Sequence, residues 1–495
     1  MISPDLVVSP NTFYPQLSLV AQGFFRAAYG VLLLGHLILI LPNARRYFMS
    51  ERWRGYAQSS RTVDVIQNPV VHPMVMIIWF ACAVAFVAGR WTVVAALINL
   101  FFCRYFFVFM RWKGVLRGMG APGFMTYWLA AAVLLMEYTL HYAAPVRPLA
   151  LFVLQVDFAL IMMSAGVYKV TAGFPRNHGM ELGLVNPEWG YWWRSYRKKS
   201  PNDPVIWTLN QLAWVTEVVA AVLMLIPPTR FIGATLIIIS FFFIATHIRL
   251  AMLCYMVMLC GVLFFHPGSL GELVSSFFVG PPAYAPGEVL SVFNSALVVF
   301  LWTYVVLLPF AYFGIYYNFF ARRRFPQPFQ RVLETYTNFF GIIMWRVFTI
   351  DLINFFPNVY HQPRGNNERR TLLSRYGWRA GSLRFSHVGE SITVTCLFTT
   401  LKYYPSNNDL FQQRLLRYAR TLPCPPEHEL VFEYIFIDKT ERSFEYRTAA
   451  EYVVDPRTGT ISERVLNADV DVHAAHSASP LHEGAQPGSY APLHG

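Results

Sequence analysis

The sequence predicts an all-α polytopic membrane bundle of about nine transmembrane helices, followed by a small C-terminal α+β soluble domain. Of the 495 residues, 55% are hydrophobic and only 14% are charged, whereas a soluble protein carries about 25% charged residues. Nine apolar runs are long enough to cross a bilayer. After them, the spacing of hydrophobic residues changes to one typical of strands and amphipathic helices. We predict a transmembrane domain (1–324), an amphipathic connecting helix (325–360), a soluble α+β domain (361–470) and a disordered tail (471–495).

The charges of the loops assign each predicted span a direction. The apolar runs lie near 16–41, 73–89, 91–110, 122–143, 149–171, 205–227, 229–247, 249–265 and 288–320. Arginine and lysine clusters follow the first, third, fifth and last runs. Because cation-rich loops stay in the cytoplasm, we predict an external N-terminus, a cytoplasmic C-terminal domain and, for a bacterial chain, the cell inner membrane. The net charge of +12 then faces cytosol and lipid headgroups, and nucleic acid is not an expected partner.

The number of spans depends on one break. Residues 229–265 stay apolar over about 55 Å of helix, which is too long for a single span. The interruption is Thr246-His247-Ile248-Arg249, without glycine or proline. We place the turn there, and without it the topology of the following chain inverts.

The polar C-terminal region has mixed patterns. An amphipathic stretch at 329–356 is typical of an interfacial helix. Alternation predicts strands at 382–388, 392–401, 429–438 and 443–454, and the last two are joined by a turn at Lys439-Thr440-Glu441-Arg442. An amphipathic helix is predicted at 409–422.

The segment 155–179 combines an acid and an amine in one apolar helix. Asp157 lies near one end and Lys169 near the other. One face of this helix is formed by four residues: Asp157, Ile161, Ser164 and Tyr168. Ala165 and Gly166 allow another helix to approach closely beside the amine. Either the Lys169 ammonium extends to the lipid headgroups, or it is a functional group inside the bundle.

Two further ionisable residues, Arg26 and Glu217, lie at membrane depth. Arg26, Asp157 and Glu217 share a depth in the predicted topology, and each such group costs at least ~2.5 kcal/mol in a bilayer. We expect Arg26 to pair with Asp157 or Glu217. This network either fixes the helix register or lines a polar cavity and sets the charge state of Lys169. His247 ends its helix near the depth of Lys169 and is either interfacial or the partner of a neutral lysine base.

Three segments resemble a known family: SLVAQGFFRAAYGVLLL (18–34), SAGVYKVTAGFPRNHG (164–179) and FFIATHIRLAMLCYMVMLCGVLFFHP (242–267). Over roughly residues 17–270 the chain resembles the vitamin K-dependent γ-carboxylase and the bacterial HTTM (horizontally transferred transmembrane) proteins. The resemblance implies that Lys169 is the base that deprotonates a reduced naphthoquinone. In the family, the hydroquinone anion then reacts with oxygen to give a strong alkoxide base, which removes the γ-proton of a glutamate before CO₂ adds.

The resemblance also implies further site residues. His141 matches a histidine that ends a helix in the family. Tyr168 stands where the family has a second lysine, and Gly173-Phe174 replaces an aspartate-tryptophan pair. Tyr168 and Asp157 should therefore border the quinol site, together with Arg26 and Glu217. A peptide or protein substrate would approach from the cytoplasmic face.

Two classes of function follow from these patterns. The first is a quinol-dependent carboxylase or a related proton-abstracting enzyme, with Lys169, His247 and His141 as catalytic residues. The second is a non-catalytic membrane protein that binds a lipid or a partner protein. A transporter is disfavoured because the sequence shows no internal repeat and no pair of helices broken by glycine or proline. No metal site is predicted.

Overall fold

A computed structural model describes residues 14–109, 120–279, 291–321, 323–345, 350–365, 370–372, 388–470 and 472. Eight helical segments within these ranges are long and apolar enough to cross a membrane. The helices of the membrane part are α1 (Leu19–Ile40), α2 (Val71–Ala88), α3 (Thr92–Cys103), α4 (Gly120–Tyr142), α5 (Arg147–Ala172), α6 (Pro204–Leu225), α7 (Arg230–His247), α8 (Leu253–Gly261), α9 (Leu270–Ser276) and α10 (Ser291–Phe320). A π-helical turn at Arg104–Phe109 extends α3, and short helices lie at Ala44–Phe48, Arg61–Asp64, Met180–Val185 and Trp193–Arg197. The predicted all-α bundle is confirmed.

Helices α5 and α6 approach each other closely at a glycine. A Cβ atom on Gly166 would lie 2.6 Å from Val218 Cγ2 and 3.0 Å from the Val218 backbone nitrogen. Only a residue without a side chain fits at that distance. The small residues beside Lys169 therefore act as predicted, and they bring α6 directly against the end of α5 that carries the amine.

The predicted break after α7 is confirmed. Helix α7 ends at His247, and the chain then runs extended while it stays buried in the protein. Its backbone pairs with a neighbouring loop, because the Arg249 N–H donates to the Trp189 carbonyl at 2.8 Å and the Tyr191 N–H donates to the His247 carbonyl at 2.9 Å. Non-helical backbone is tolerated at membrane depth only when protein satisfies it in this way.

Helix α8 belongs to an apolar segment that is shorter than the eight candidate spans. The apolar segment Leu253–Phe264 contains α8 and a final 3-10 turn, and it is only about 18 Å long at the usual helical rise. The chain nevertheless returns to the start of α7, since the His266 ring stacks on Phe231 with centroids 5.9 Å apart. The extended residues before α8 supply the missing length.

Helix α9 and the soluble domain lie at opposite faces of the bundle. Helix α9 lies beside the start of α1, where Phe278 packs on Phe24 with ring centroids 5.8 Å apart. The soluble domain lies at the other face, where Lys439 Nζ pairs with Glu181 Oε1 at 2.8 Å. One continuous hydrophobic core extends from the bundle into this domain.

The soluble domain is an antiparallel sheet with helices on it. Its strands are β1 (Phe355–Pro363), β2 (Thr371–Leu372), β3 (His428–Lys439), β4 (Phe444–Val454) and β5 (Ile461–Val465), in the order β2-β1-β3-β4-β5. It follows an amphipathic helix α11 (Gln327–Phe340) and a short helix (Ile350–Ile353), and it contains α12 (Val388–Tyr403) and α13 (Asn408–Ala419). Strands β3 and β4, the turn between them and α13 are confirmed.

Two predictions for this region are wrong. Residues 392–401 form part of α12 rather than a strand, because Val394, Leu397, Phe398 and Leu401 recur at helical spacing and are all buried. The connecting helix at 325–360 ends early, since Gly341 adopts φ 71° as a left-handed cap. Strand β1 already begins within its predicted range. The predicted strand at 382–388 lies outside the described residues except for its last position, and the tail lies outside them except for residue 472.

Candidate functional site

Lys169 is buried in an ion pair with Glu217. Its Nζ atom lies 2.5 Å from Glu217 Oε1 and 3.5 Å from the Ala213 carbonyl, and the residue is 1% exposed. The ring of Phe174 lies beside it, with its centroid 5.9 Å from Nζ. The interpretation that the ammonium extends to lipid headgroups is therefore wrong. The close approach of α5 and α6 at Gly166 positions the two charges.

The predicted network of Arg26, Asp157 and Glu217 is wrong, because each has a separate partner. The Arg26 guanidinium lies 3.6 Å from Glu137 Oε2 and donates from Nε to the Phe86 carbonyl at 3.1 Å. Glu137 was missed, although an acid inside the apolar run 122–143 is the same signal that singled out Glu217. The depth of a charged residue in the membrane was predictable from its position in an apolar run. Which helix this residue faces depends on how the helices pack.

The two histidines lie at different ends of the bundle. His247 is half-buried at the end of α7, where its ring stacks on Phe243 with centroids 4.1 Å apart. His141 lies in the last turn of α4, and its Nε2 is 3.9 Å from Glu137 Oε2. Within the described ranges, neither histidine forms a hydrogen bond or an ion pair with Lys169. The predicted catalytic group is therefore not assembled in this conformation.

A cavity of about 450 Å³ lies inside the bundle and reaches Asp157. Its walls come from α3, α4, α5 and α10, and the end of α11 closes one side. Most of its side chains are aromatic or aliphatic, among them Phe124, Tyr127, Trp128, Leu134, Ile161, Leu301, Tyr304 and Phe340. Asp157 and Arg104 are the charged residues that line it.

Asp157 is the polar centre of this cavity. Trp128 Nε1 and the Tyr304 hydroxyl both donate to Oδ2, each at 3.0 Å. In the part of the chain that the structure describes, no group donates a hydrogen bond to Oδ1, and the carboxylate lines the cavity. One oxygen is thus held by protein while the other is available to a ligand. Neither Lys169 nor Glu217 lines this cavity.

The cavity meets the lipid on one side. Leu97 of α3 and Phe300 of α10 line it, and they are also 55% and 47% exposed on the apolar surface of the bundle. At the end near α11, the Arg104 guanidinium lies over the Phe339 ring, 4.6 Å from its centroid, and donates to the Phe339 carbonyl. A molecule dissolved in the bilayer could enter between α3 and α10.

Other predicted site residues have structural contacts. Tyr168 is buried and packs on Phe319 with ring centroids 5.9 Å apart. The Ser164 hydroxyl accepts a hydrogen bond from the Trp345 N–H at 3.1 Å. Asp157 and Ile161 thus reach the cavity, whereas Ser164 and Tyr168 join α5 to later parts of the chain. Trp128 and Tyr304 were not predicted, because aromatic residues are frequent in every apolar helix of this sequence.

The fold and this site define a class of protein. The chain is a multi-pass membrane protein whose helical bundle encloses an aromatic cavity with one buried carboxylate, and a small α+β domain is docked on one face. Comparison with family models, curated proteins and solved structures found no match.

Proposed function

We propose that this protein binds a lipid-soluble ring compound with hydroxyl groups, of the quinol class, in the Asp157 cavity. The observation that carries the proposal is the Asp157 carboxylate: two protein donors hold Oδ2, while no donor among the described residues bonds to Oδ1. A quinol hydroxyl is a donor of the right kind for this oxygen. The cavity volume of about 450 Å³ is in the usual range for a small-molecule site.

The walls suit the rest of such a ligand. Trp128 and Tyr127 offer aromatic surfaces to a ring, and the side that opens past Leu97 and Phe300 gives an apolar tail a route to the bilayer. We further propose that the soluble domain lies in the cytoplasm and, for a bacterial chain, that the cavity lies in the cell inner membrane. The support is two cation-rich loops, at 45–61 and 176–199, that contact this domain through Arg46 and Arg197.

A second candidate function is the carboxylase-type chemistry that the family resemblance implies, with Lys169 as base. The observation that favours it is the buried amine beside a buried carboxylate, 2.5 Å apart. Transfer of the ammonium proton to Glu217 would leave a neutral amine, which is the form that acts as a base. The substrate would have to reach Lys169 through an opening between α5 and α6.

Filling the cavity tests the first proposal. The variant Ala131→Trp places an indole among the lining residues, whereas Ala81→Trp adds the same group on the exposed surface of α2. Binding of a short-chain naphthoquinol is measured by the quenching of tryptophan fluorescence. We expect the affinity to fall at least about tenfold in Ala131→Trp only, because the cavity volume is lost. Equal affinity in both variants would refute the proposed site.

A further inference from the structure

A second cavity, of about 800 Å³, lies between the soluble domain and the loop that follows α1. One wall is residues 49–60. The other wall combines the end of α13, the segment before β3 and the turn between β4 and β5. Five arginines from these separate segments line the cavity together with a single acid: Arg52, Arg54, Arg417, Arg420, Arg457 and Glu51. No function assigned so far uses this cavity.

The single carboxylate of this cavity is already occupied. Glu51 Oε1 accepts a hydrogen bond from the Ser59 N–H at 3.0 Å, and Glu51 Oε2 lies 3.3 Å from Arg417 Nε. No acidic side chain in the described ranges is paired with the other four arginines. A cleft lined by one sign of charge concentrates counter-ions of the opposite sign. The lining of the cavity therefore carries an excess of positive charge.

The two walls are fixed relative to each other. Arg46 Nε donates to Thr421 Oγ1 at 3.3 Å, and the rings of Tyr56 and Tyr418 pack edge to face with centroids 6.1 Å apart. The loop itself is tightly folded, because a Cβ atom on Gly55 would lie 2.0 Å from the Met49 carbonyl oxygen. The guanidinium groups are thus carried by rigid backbone, which lowers the entropy lost when a ligand is bound.

The cavity lies beside the membrane surface. The loop directly follows the first apolar segment, Leu19–Phe48, and its Trp53 is 41% exposed. Exposed tryptophan at the end of a span is typical of the membrane–water interface. The Arg52 guanidinium lies 5.5 Å from the centre of the Trp53 ring, so this arginine is near the same depth. Both soluble anions and lipid headgroups can reach such a position.

We propose that this cavity is a binding site for a phosphate-bearing anion. Arginine is suited to phosphate because its planar guanidinium donates two parallel hydrogen bonds to two oxygens of one group. The volume exceeds that of one phosphate, so the site accepts a phosphate ester or a diphosphate. The phosphate belongs either to the headgroup of an anionic phospholipid or to a soluble compound.

Titration calorimetry on the full chain in a neutral detergent separates these sources. The two probes are dihexanoylphosphatidylglycerol and inorganic pyrophosphate. Binding of the first probe alone identifies a lipid headgroup as the ligand, binding of pyrophosphate alone identifies a soluble anion, and binding of both supports the shared phosphate chemistry. If the wild-type chain binds neither probe, the proposal is overturned.

Matched variants distinguish a site from general surface charge. Arg52→Gln/Arg457→Gln removes two cavity cations, whereas Arg442→Gln/Arg464→Gln removes two exposed arginines of the soluble domain that do not line the cavity. We expect affinity to fall at least about tenfold in the first and to stay within about twofold in the second, since charge-assisted bonds are lost only in the cavity. Equal loss in both would overturn the proposal. Circular dichroism checks the fold, and Arg54→Gln replaces the cavity variant if it does not fold.

Discussion

At the residue scale, the pairing of Lys169 with Glu217 shows how a charge is kept inside an apolar bundle. Both side chains are only 2% exposed, so each would be unpaired in a low-dielectric environment without the other. The attraction between the two charges offsets their loss of hydration, although the net gain from such a pair is small. The pair therefore adds little to the free energy of unfolding, and its main effect is to favour the arrangement of α5 and α6 in which the two charges meet.

The first prediction concerns this pair. We expect Lys169→Met to destabilise the bundle by about 3–5 kcal/mol, because it leaves the Glu217 charge buried without a partner. The double variant Lys169→Met/Glu217→Leu should recover most of that loss. Denaturant unfolding in detergent measures both values. If the double variant is as unstable as the single one, the pair stabilises the bundle by more than the neutralisation of two buried charges.

The second prediction concerns Lys402 in the soluble domain. Burial lowers the pKa of this lysine from 10.5 to about 8, and the nearby Asp351 opposes the shift. Its Nζ donates to Asn354 Oδ1 at 2.6 Å. Between pH 8 and 10.5 the unfolded chain binds more protons than the folded one, so stability should rise with pH across this window.

Thermal unfolding measured as a function of pH tests whether stability rises across this window. The rise should disappear in Lys402→Met, which cannot titrate, and it should persist in Lys198→Met, which removes an exposed lysine. A rise of equal size in Lys402→Met would assign the pH dependence to another group.

At the scale of the elements, the lengths of the apolar runs were predictable. Which of their residues are helical and which are extended was not. The sequence supports a break at Thr246–Arg249, and α7 ends at His247. The half-length α8 could not be predicted, since its extended entry is stable only because loop residues near Trp189 satisfy its backbone. Similarly, α12 was predicted as a strand because its threonines, valine and isoleucine favour strands locally, whereas burial against the sheet selects a helix.

The third prediction tests the contact between α5 and α6. We expect Gly166→Val to destabilise the bundle by about 1–3 kcal/mol, because the new side chain would overlap Val218 and its backbone. Ala81→Val, on the exposed surface of α2, is the control and should have little effect. Thermal unfolding in detergent compares the two variants. Equal stability of both would mean that the helices can separate at no cost.

At the scale of the whole molecule, the sequence predicted the class of fold, and one of the predicted site residues lines the cavity. The composition led to the helical membrane bundle, and the change of pattern after the apolar runs led to the α+β domain. Among the predicted ligand-binding residues, Asp157 reaches the cavity, and Arg26, Glu217 and Tyr168 do not line it. Depth in the membrane can be read from position along a helix, but rotation and partner choice depend on how all the helices pack. The arginine cavity likewise forms from segments far apart in the sequence.

The fourth prediction concerns the topology. An alkaline phosphatase fused after Arg324 should be inactive, and a fluorescent protein at the same site should fold, because an odd number of crossings returns the chain to the cation-rich face. A fusion in the loop between α7 and α8 should behave in the same way, while one after α9 should show the opposite pattern. Phosphatase activity after Arg324 would contradict the nine crossings.

The central claim is that the Asp157 cavity holds a hydroxylic, lipid-soluble ligand. The most direct measurement is an electron cryomicroscopy map of the protein extracted with its native lipids. We predict density between α3 and α10 with a polar end within about 3.2 Å of Asp157 Oδ1, the range of a hydrogen bond, and an apolar part that leaves past Leu97 and Phe300. The same density should be absent from Ala131→Trp. A cavity that is empty, or that contains only an acyl chain with no polar group at Asp157, would contradict this account.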